Sequence, residues 1–186
     1  MPGPPNSELA SVQTIMRAAA FAAEKHASQK RKGEAAEPYL NHLLEVAHLV
    51  SSALAQPDTN LIVAALLHDV VEDTPVTNQE VAALFGSDVA ALVAEVTDDK
   101  SLPKAERKRL QIENAPKKSP RAQFIKLADK ISNLRALTES PPIDWTEERR
   151  RQYFAWARQV VDGLASPDAS LKAEFDRLYA AFTARY

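Results

Sequence analysis

Seven consecutive apolar residues, Leu61 to Leu67, run without a spacer into His68-Asp69 and then, after two valines, Glu72-Asp73, in the stretch "LIVAALLHDVVEDTPVT". A segment that is apolar on every side has no face to offer water. If helical it must be wrapped by other helices, which constrains the architecture before any other feature does. The pattern predicts one central helix from about Asp58 to Glu72, with His68 stacked over Glu72 and Asp69 over Asp73 at four-residue spacing. A histidine and three carboxylates at its end suit either a solvated helix terminus or a metal site at the mouth of a core.

Elsewhere helix signals recur and strand signals do not. After a Pro-rich start, expected to fray over residues 1–7, Leu9, Val12, Ile15, Met16, Ala19 and Ala23 mark one face of a helix ending near His26. The tract "ASQKRKGEAAEP" is a polar loop punctuated by Gly33 and Pro38. A second helix carries Leu43, Val46, Leu49, Val50 and Ala53 and stops before Pro57. Thr77 and Glu80 form a capping box, Gly86 is placed to end that helix, and "SDVAALVAEVTD" starts another at once. Ser119-Pro120 supplies a cap and an N1 proline for "RAQFIKLADKISNLRAL", and Thr146 caps "EERRRQYFAWARQVVDGL". A last helix fills about Asp168 to Arg185. The expectation is an all-α bundle, with residues 8–186 as a single domain.

Composition narrows the function classes. Charged residues make up 26% of the 186, but the formal net charge is only −2, so no overall basic field favours a nucleic-acid polymer or an anionic membrane. The longest apolar run is too short to cross a bilayer, and "MPGPPNSELA" has neither the basic nor the apolar region of a secretory signal. There is no cysteine, which removes disulfides, thiolate metal sites and cysteine nucleophiles and fits a cytoplasmic setting. Nothing in the sequence speaks to oligomeric state.

The polar residues inside these helices carry the chemistry. His42 near the start of the second helix, His68-Asp69 at the end of the apolar run, and Asp129 four residues after Ile125 would give a metal two imidazoles and two carboxylates from three helices. Such a mixed nitrogen and oxygen set, without sulfur, suits a hard or borderline divalent ion completed by water. Glu72 and Asp73, one turn beyond, are placed to orient that water or shuttle its proton. Each residue also has a plainer reading. His48 shares a helix with His42 without being a ligand candidate, and Asp129 between Lys126 and Lys130 could be paired on a solvated face. The group as a whole is harder to read that way, because a charged pair ending an apolar helix costs several kcal/mol unless something compensates.

The order His42, His68-Asp69, Asp129 resembles the HD superfamily of metal-dependent phosphohydrolases. The words "QKRKG", "PYLNHLLEVA", "AALLHDVVEDT", "LFGSDVAALVAEVTDDKSLPKAERKRLQ" and "IKLADKISNLR" narrow the likeness. They closely resemble the hydrolase domain of the RelA/SpoT family, especially its single-domain members, the metazoan SpoT homologs and bacterial small alarmone hydrolases. The resemblance implies a manganese-dependent 3′-pyrophosphohydrolase, one divalent ion per chain, cleaving guanosine 3′,5′-bis(diphosphate) or its 5′-triphosphate form to GDP or GTP and pyrophosphate. It implies that His42, His68, Asp69 and Asp129 hold the metal and that Glu72 and Asp73 serve the nucleophilic water. It further maps nucleotide contacts onto Arg31, Lys32, Tyr39 and Asn133, and the phosphate end of the pocket onto Lys104, Arg149 and Tyr153. Arg31 is suited to stack its planar guanidinium on a guanine, where Lys32 offers only a point charge.

The family often has proline after the first ligand histidine; Leu43 stands there, so the turn that aims His42 is expected to be built differently. A chain of 186 residues leaves no room for the synthetase and regulatory domains of long RelA/SpoT enzymes, so hydrolysis without synthesis is expected. Two other readings stay open on sequence alone. One keeps the metal and changes the substrate to another nucleotide such as NADPH; the other is a non-catalytic, metal-stabilised helical binding module.

Overall fold

The computed structural model describes residues 5–185, and among these the regular structure is helical throughout. Ten α-helices follow one another: α1 Pro5–Lys25, α2 Leu40–Ala53, α3 Thr59–Leu66, α4 Val70–Asp73, α5 Asn78–Phe85, α6 Ser87–Val96, α7 Lys104–Asn114, α8 Pro120–Glu139, α9 Glu147–Asp162 and α10 Ala169–Arg185. A 3-10 turn, Ala115–Lys117, joins α7 to α8. The only pairing of strand type among the described residues is an isolated antiparallel bridge between Lys30 and Pro38, which closes the loop after α1. No described helix is long and apolar enough to cross a membrane.

The expected frayed start lies in part outside the described residues, and its described portion is already helical. The described part of α1 opens at Pro5, and Glu8 in its first turn complements the dipole.

Helix α3 sits at the centre, as an all-round apolar segment must. Leu61, Val63, Ala64, Ala65 and Leu66 are buried, between α1 and α2 on one side and α6 and α8 on the other. Each fully buried valine or leucine there contributes about 1.5–3 kcal/mol relative to exposure, and a carboxylate at Val63 would place an unpaired charge in that core. Helix α10 packs along α8, and the apolar cluster is continuous from Ala18 to Phe182.

Local signals read from the sequence act as expected. Thr77 and Glu80 form the capping box of α5. Gly86, at φ 94°, turns the chain directly into α6. Ser119 and Thr146 accept from the backbone of Ala122 and Arg149 to start α8 and α9.

The central segment departs from expectation. In place of one helix from Asp58 to Glu72, α3 stops at Leu66 and α4 restarts at Val70, so His68 and Asp69 lie in the break. Leu67 N–H is shared between the carbonyls of Val63 and Ala64, and Val70 N–H reaches only back to Leu67 O at 3.0 Å. The winding tightens to three-residue spacing, and His68 Nδ1 takes the carbonyl of Ala65 at 2.7 Å.

Candidate active site

That break explains how neighbouring residues can serve one point. In a regular helix His68 and Asp69 would point about 100° apart. Here His68 Nε2 and Asp69 Oδ2 lie 3.2 Å apart, and His42 Nε2 stands 3.7 Å from the same carboxylate oxygen. Ligand atoms of His42, His68 and Asp69 fall within 4.8 Å of one another. Asp129, from the middle of α8, brings Oδ1 to 3.4 Å from His42 Nε2. Thus α2, the α3–α4 turn and α8 converge: His42, His68 and Asp69 form one group, and Asp129 stands against it beside His42.

The donor set fits a divalent ion. His68 Nε2 is buried and makes no hydrogen bond of acceptable geometry, although Asp69 stands beside it. Its Nδ1 is committed to Ala65 O as a donor, so in the neutral ring the free lone pair faces the cluster. A buried nitrogen left without a hydrogen bond 3.2 Å from a carboxylate oxygen is what a pair of metal ligands shows. Two imidazoles and two carboxylates, without sulfur, favour a hard or borderline cation.

Electrostatics sharpen the picture. Burial lowers the His42 pKa and outweighs the aspartates near it, which keeps that ring neutral. Burial also opposes charge on His68, but Asp69 and Asp129 push its pKa up to about 9, so a proton occupies the place a cation would take. Against the cost of burial, the charged ring of His68 beside it holds Asp69 below the usual carboxylate range. Lys130, which donates to Asp129 Oδ2 at 2.9 Å, does the same for Asp129. The pairing of Asp129 with Lys130 foreseen in the plainer reading is therefore present, but in the interior: Lys130 is 3% exposed and its ammonium lies 4.5 Å from the Trp156 ring centre. His48, on the other hand, faces solvent.

Beside the cluster a smaller cavity opens into a cleft of about 860 Å³. Glu72 and Asp73 lie at the junction. Glu72 accepts from Asp98 N–H at 3.0 Å, and Arg107 stands 3.5 Å away. Burial, with Asp98 and Asp69 nearby, raises its pKa. Asp73 pairs with Lys100. Tyr39 donates its hydroxyl to Asp69 at 2.6 Å; burial and that carboxylate keep the phenol protonated. Leu43, at the position where proline was noted to be common, is fully buried, and His42 N–H bonds Tyr39 O at 3.0 Å to wind the first turn of α2.

The loop residues also arrive at this cleft. Gly33 packs against the end of α8 so closely that an added Cβ would lie 2.2 Å from Ser140 O, and this contact pins the loop. Arg31 donates to Ser132 Oγ and Asn133 Oδ1, both at 3.2 Å, while Asn133 donates to Asp129 at 2.6 Å. Lys32, Lys104, Arg149 and Tyr153 line the same cleft. Burial lowers the Lys104 pKa, and the charges bearing on it, Lys32, Arg149 and Arg107, all share its sign. Such mutual repulsion marks a place built for an anion.

Lys108, Trp145 and Trp156 are among the lining residues that the sequence reading did not name as site members. Lys108 follows Lys104 by one helical turn and lies 4.5 Å over Trp156, and Arg149 covers Trp145 at 4.4 Å. The four-residue lysine spacing was visible, but it reads equally as a solvated face. Among the aromatics of α9, Tyr153 and Trp156 line the cleft, while Phe154 lies in the core, stacked on Phe182 at 3.7 Å.

A helical bundle that gathers two imidazoles and two carboxylates from three segments, beside a cationic cleft, defines a metal-site protein suited to polyanionic ligands. The particular family follows from comparison. Residues 18–166 match the HD domain family, and the chain belongs to it. It is 52% identical over 165 residues to a fruit-fly protein named guanosine-3′,5′-bis(diphosphate) 3′-pyrophosphohydrolase MESH1, covering 89% of this chain and 92% of that one. The human protein of the same name is 48% identical with the same coverage. A solved metazoan SpoT ortholog, described as hydrolysing ppGpp and acting in starvation responses, superposes with a TM-score of 0.87 at 50% identity over 90% of this chain and 94% of its own.

Proposed function

We propose that this chain is a metal-dependent guanosine 3′,5′-bis(diphosphate) 3′-pyrophosphohydrolase, with Mn²⁺ held by His42, His68, Asp69 and Asp129. One observation carries the reading: a buried histidine and aspartate cluster lies beside a cleft in which Lys104 and Lys108 face charges of their own sign. Relatives about half identical over nearly the whole chain, named for this activity, support the choice of substrate. Residues 8–186 act as one catalytic unit, and the absence of cysteine suits work in the cytoplasm.

A divalent ion in this set would lower the pKa of an attacking water and meet charge on the phosphoryl oxygens. The chain's own residues do the rest. Glu72, made more basic by burial, receives a proton from the water, and Asp73 with Lys100 orders the approach. The bond between the 3′ oxygen and the adjacent phosphorus breaks, the water oxygen enters the departing pyrophosphate, and the 3′ oxygen takes up a proton. Lys104, Arg149 and Lys108 meet the charge of the 3′-diphosphate in the bound substrate and go on offsetting it as the group leaves. Tyr153 closes the phosphate end as a neutral donor, its hydroxyl pushed up to about 12 by burial. Arg31, Lys32, Tyr39 and Asn133 hold the nucleotide, Arg31 by exchanging its contacts on α8 for the base.

Purified protein stripped with chelator should lose turnover of guanosine 3′,5′-bis(diphosphate) and regain it with Mn²⁺. Undiminished turnover after stripping, or a clear preference for NADPH, would overturn the reading.

A further inference from the structure

His42 is aimed by a chain of hydrogen bonds that runs out of the metal cluster toward the surface. Its Nδ1 lies 2.8 Å from Ser132 Oγ, and Ser132 Oγ lies 2.5 Å from Glu45 Oε2. A serine hydroxyl has one proton. Glu45 is held as a carboxylate by the guanidinium of Arg135, 2.8 Å from its other oxygen, so it can only accept. Arg31, 3.2 Å from the same hydroxyl, can only donate. The single proton of Ser132 therefore goes to Glu45, and the hydroxyl must receive a proton from His42 Nδ1. That arrangement leaves Nε2 of His42 with its lone pair, directed at Asp69 and Asp129.

We propose that Ser132 and Glu45 are positioning residues for the metal site: together they lock His42 in the Nδ1–H tautomer and fix the ring so that Nε2 binds the cation. The proposal rests on His42 being a metal ligand, as read above. Neither residue is among the four candidate ligands, and neither stands out in the sequence. Glu45 lies one turn after His42 on α2, while Ser132 comes from α8, next to Asn133. Ser132 is fully buried, whereas the Glu45 side chain is 29% exposed and also ends a bridge through Arg135 to Glu174. With Ser132 gone, His42 Nδ1–H has no partner, the competing tautomer gains, and Nε2 ceases to be a free ligand. Outer partners of metal-bound imidazoles typically carry about 10–100-fold in affinity.

The experiment is Mn²⁺ titration of the metal-stripped full chain by calorimetry, for wild type, Ser132→Ala, Glu45→Ala, the double variant and Glu174→Ala. Ser132→Ala should bind Mn²⁺ at least about tenfold more weakly. Glu45→Ala should weaken it in the same direction, and the double variant should be no weaker than Ser132→Ala alone, because both act through one ring. Glu174→Ala, which disturbs Arg135 without touching Ser132, should bind as wild type does. Nitrogen-15 spectra of histidine-labelled, metal-free protein should report the Nδ1–H form of His42 in wild type and a mixture in Ser132→Ala. Normal Mn²⁺ uptake by wild type with equal affinity in Ser132→Ala and Glu45→Ala would overturn the relay alone. A wild-type chain that takes up no Mn²⁺ would overturn the metal reading and the relay with it. Should Ser132→Ala not fold, Glu45→Ala alone decides, since its side chain is partly exposed whereas Ser132 is fully buried.

Discussion

His42 and His68 place their ring centres 5.2 Å apart, yet their surroundings push their protons in opposite directions. Burial keeps His42 neutral, whereas Asp69 and Asp129 hold a proton on His68 up to about pH 9. A metal binds the deprotonated imidazole, so its uptake must release that proton. Apparent Mn²⁺ affinity should thus rise about tenfold per pH unit up to about pH 9 and level off above it. Calorimetry in buffers of different ionisation enthalpy checks this, and a flat profile would contradict it. His68→Ala should bind Mn²⁺ far more weakly and lose the slope. The four candidate ligands were legible in the sequence because a histidine and carboxylates inside apolar helices have few other uses. Glu45 and Ser132 were not, because a contact between two distant helices leaves no spacing to read.

At the scale of elements, the sequence announced the helices and their caps but not the break between α3 and α4. Apolar periodicity is the same for one long helix and for two that meet at a tightened turn. The turn shows only in backbone bonds such as Val70 N–H to Leu67 O. It matters because it lets consecutive residues serve one point. The residues of α7 fell within a quoted motif, but their facing across the cleft from Arg149 and the aromatics of α9 was not visible there. Lys104 and Lys108 there lie among like charges, and Lys108 rests on Trp156. Lys108→Ala should raise KM for guanosine 3′,5′-bis(diphosphate) roughly tenfold, or about 1.4 kcal/mol of binding, with a smaller effect on kcat. Steady-state kinetics decides, and an unchanged KM would remove Lys108 from the phosphate end.

Across the whole molecule, the apolar run Leu61 to Leu67 required a bundle, and a bundle is what forms. The cleft needed more than patterning, since its walls come from the loop around Arg31, from α7 and from α9, which share no motif. Because the cluster draws on α2, the α3–α4 turn and α8, a bound ion ties the centre of the fold together. Mn²⁺ at a hundred times its dissociation constant should add about 2.7 kcal/mol to the unfolding free energy, and chelator should withdraw it. Urea denaturation with and without metal measures this; no difference would mean that the ion binds outside the folded cluster.

The most direct test follows the phosphorus atoms themselves. Phosphorus-31 spectra of guanosine 3′,5′-bis(diphosphate) incubated with the Mn²⁺-loaded chain should show only pyrophosphate and GDP accumulating in equal amounts, and neither when Asp129 is replaced by alanine. Orthophosphate as the first product, or an unchanged substrate spectrum with metal present, would contradict the account.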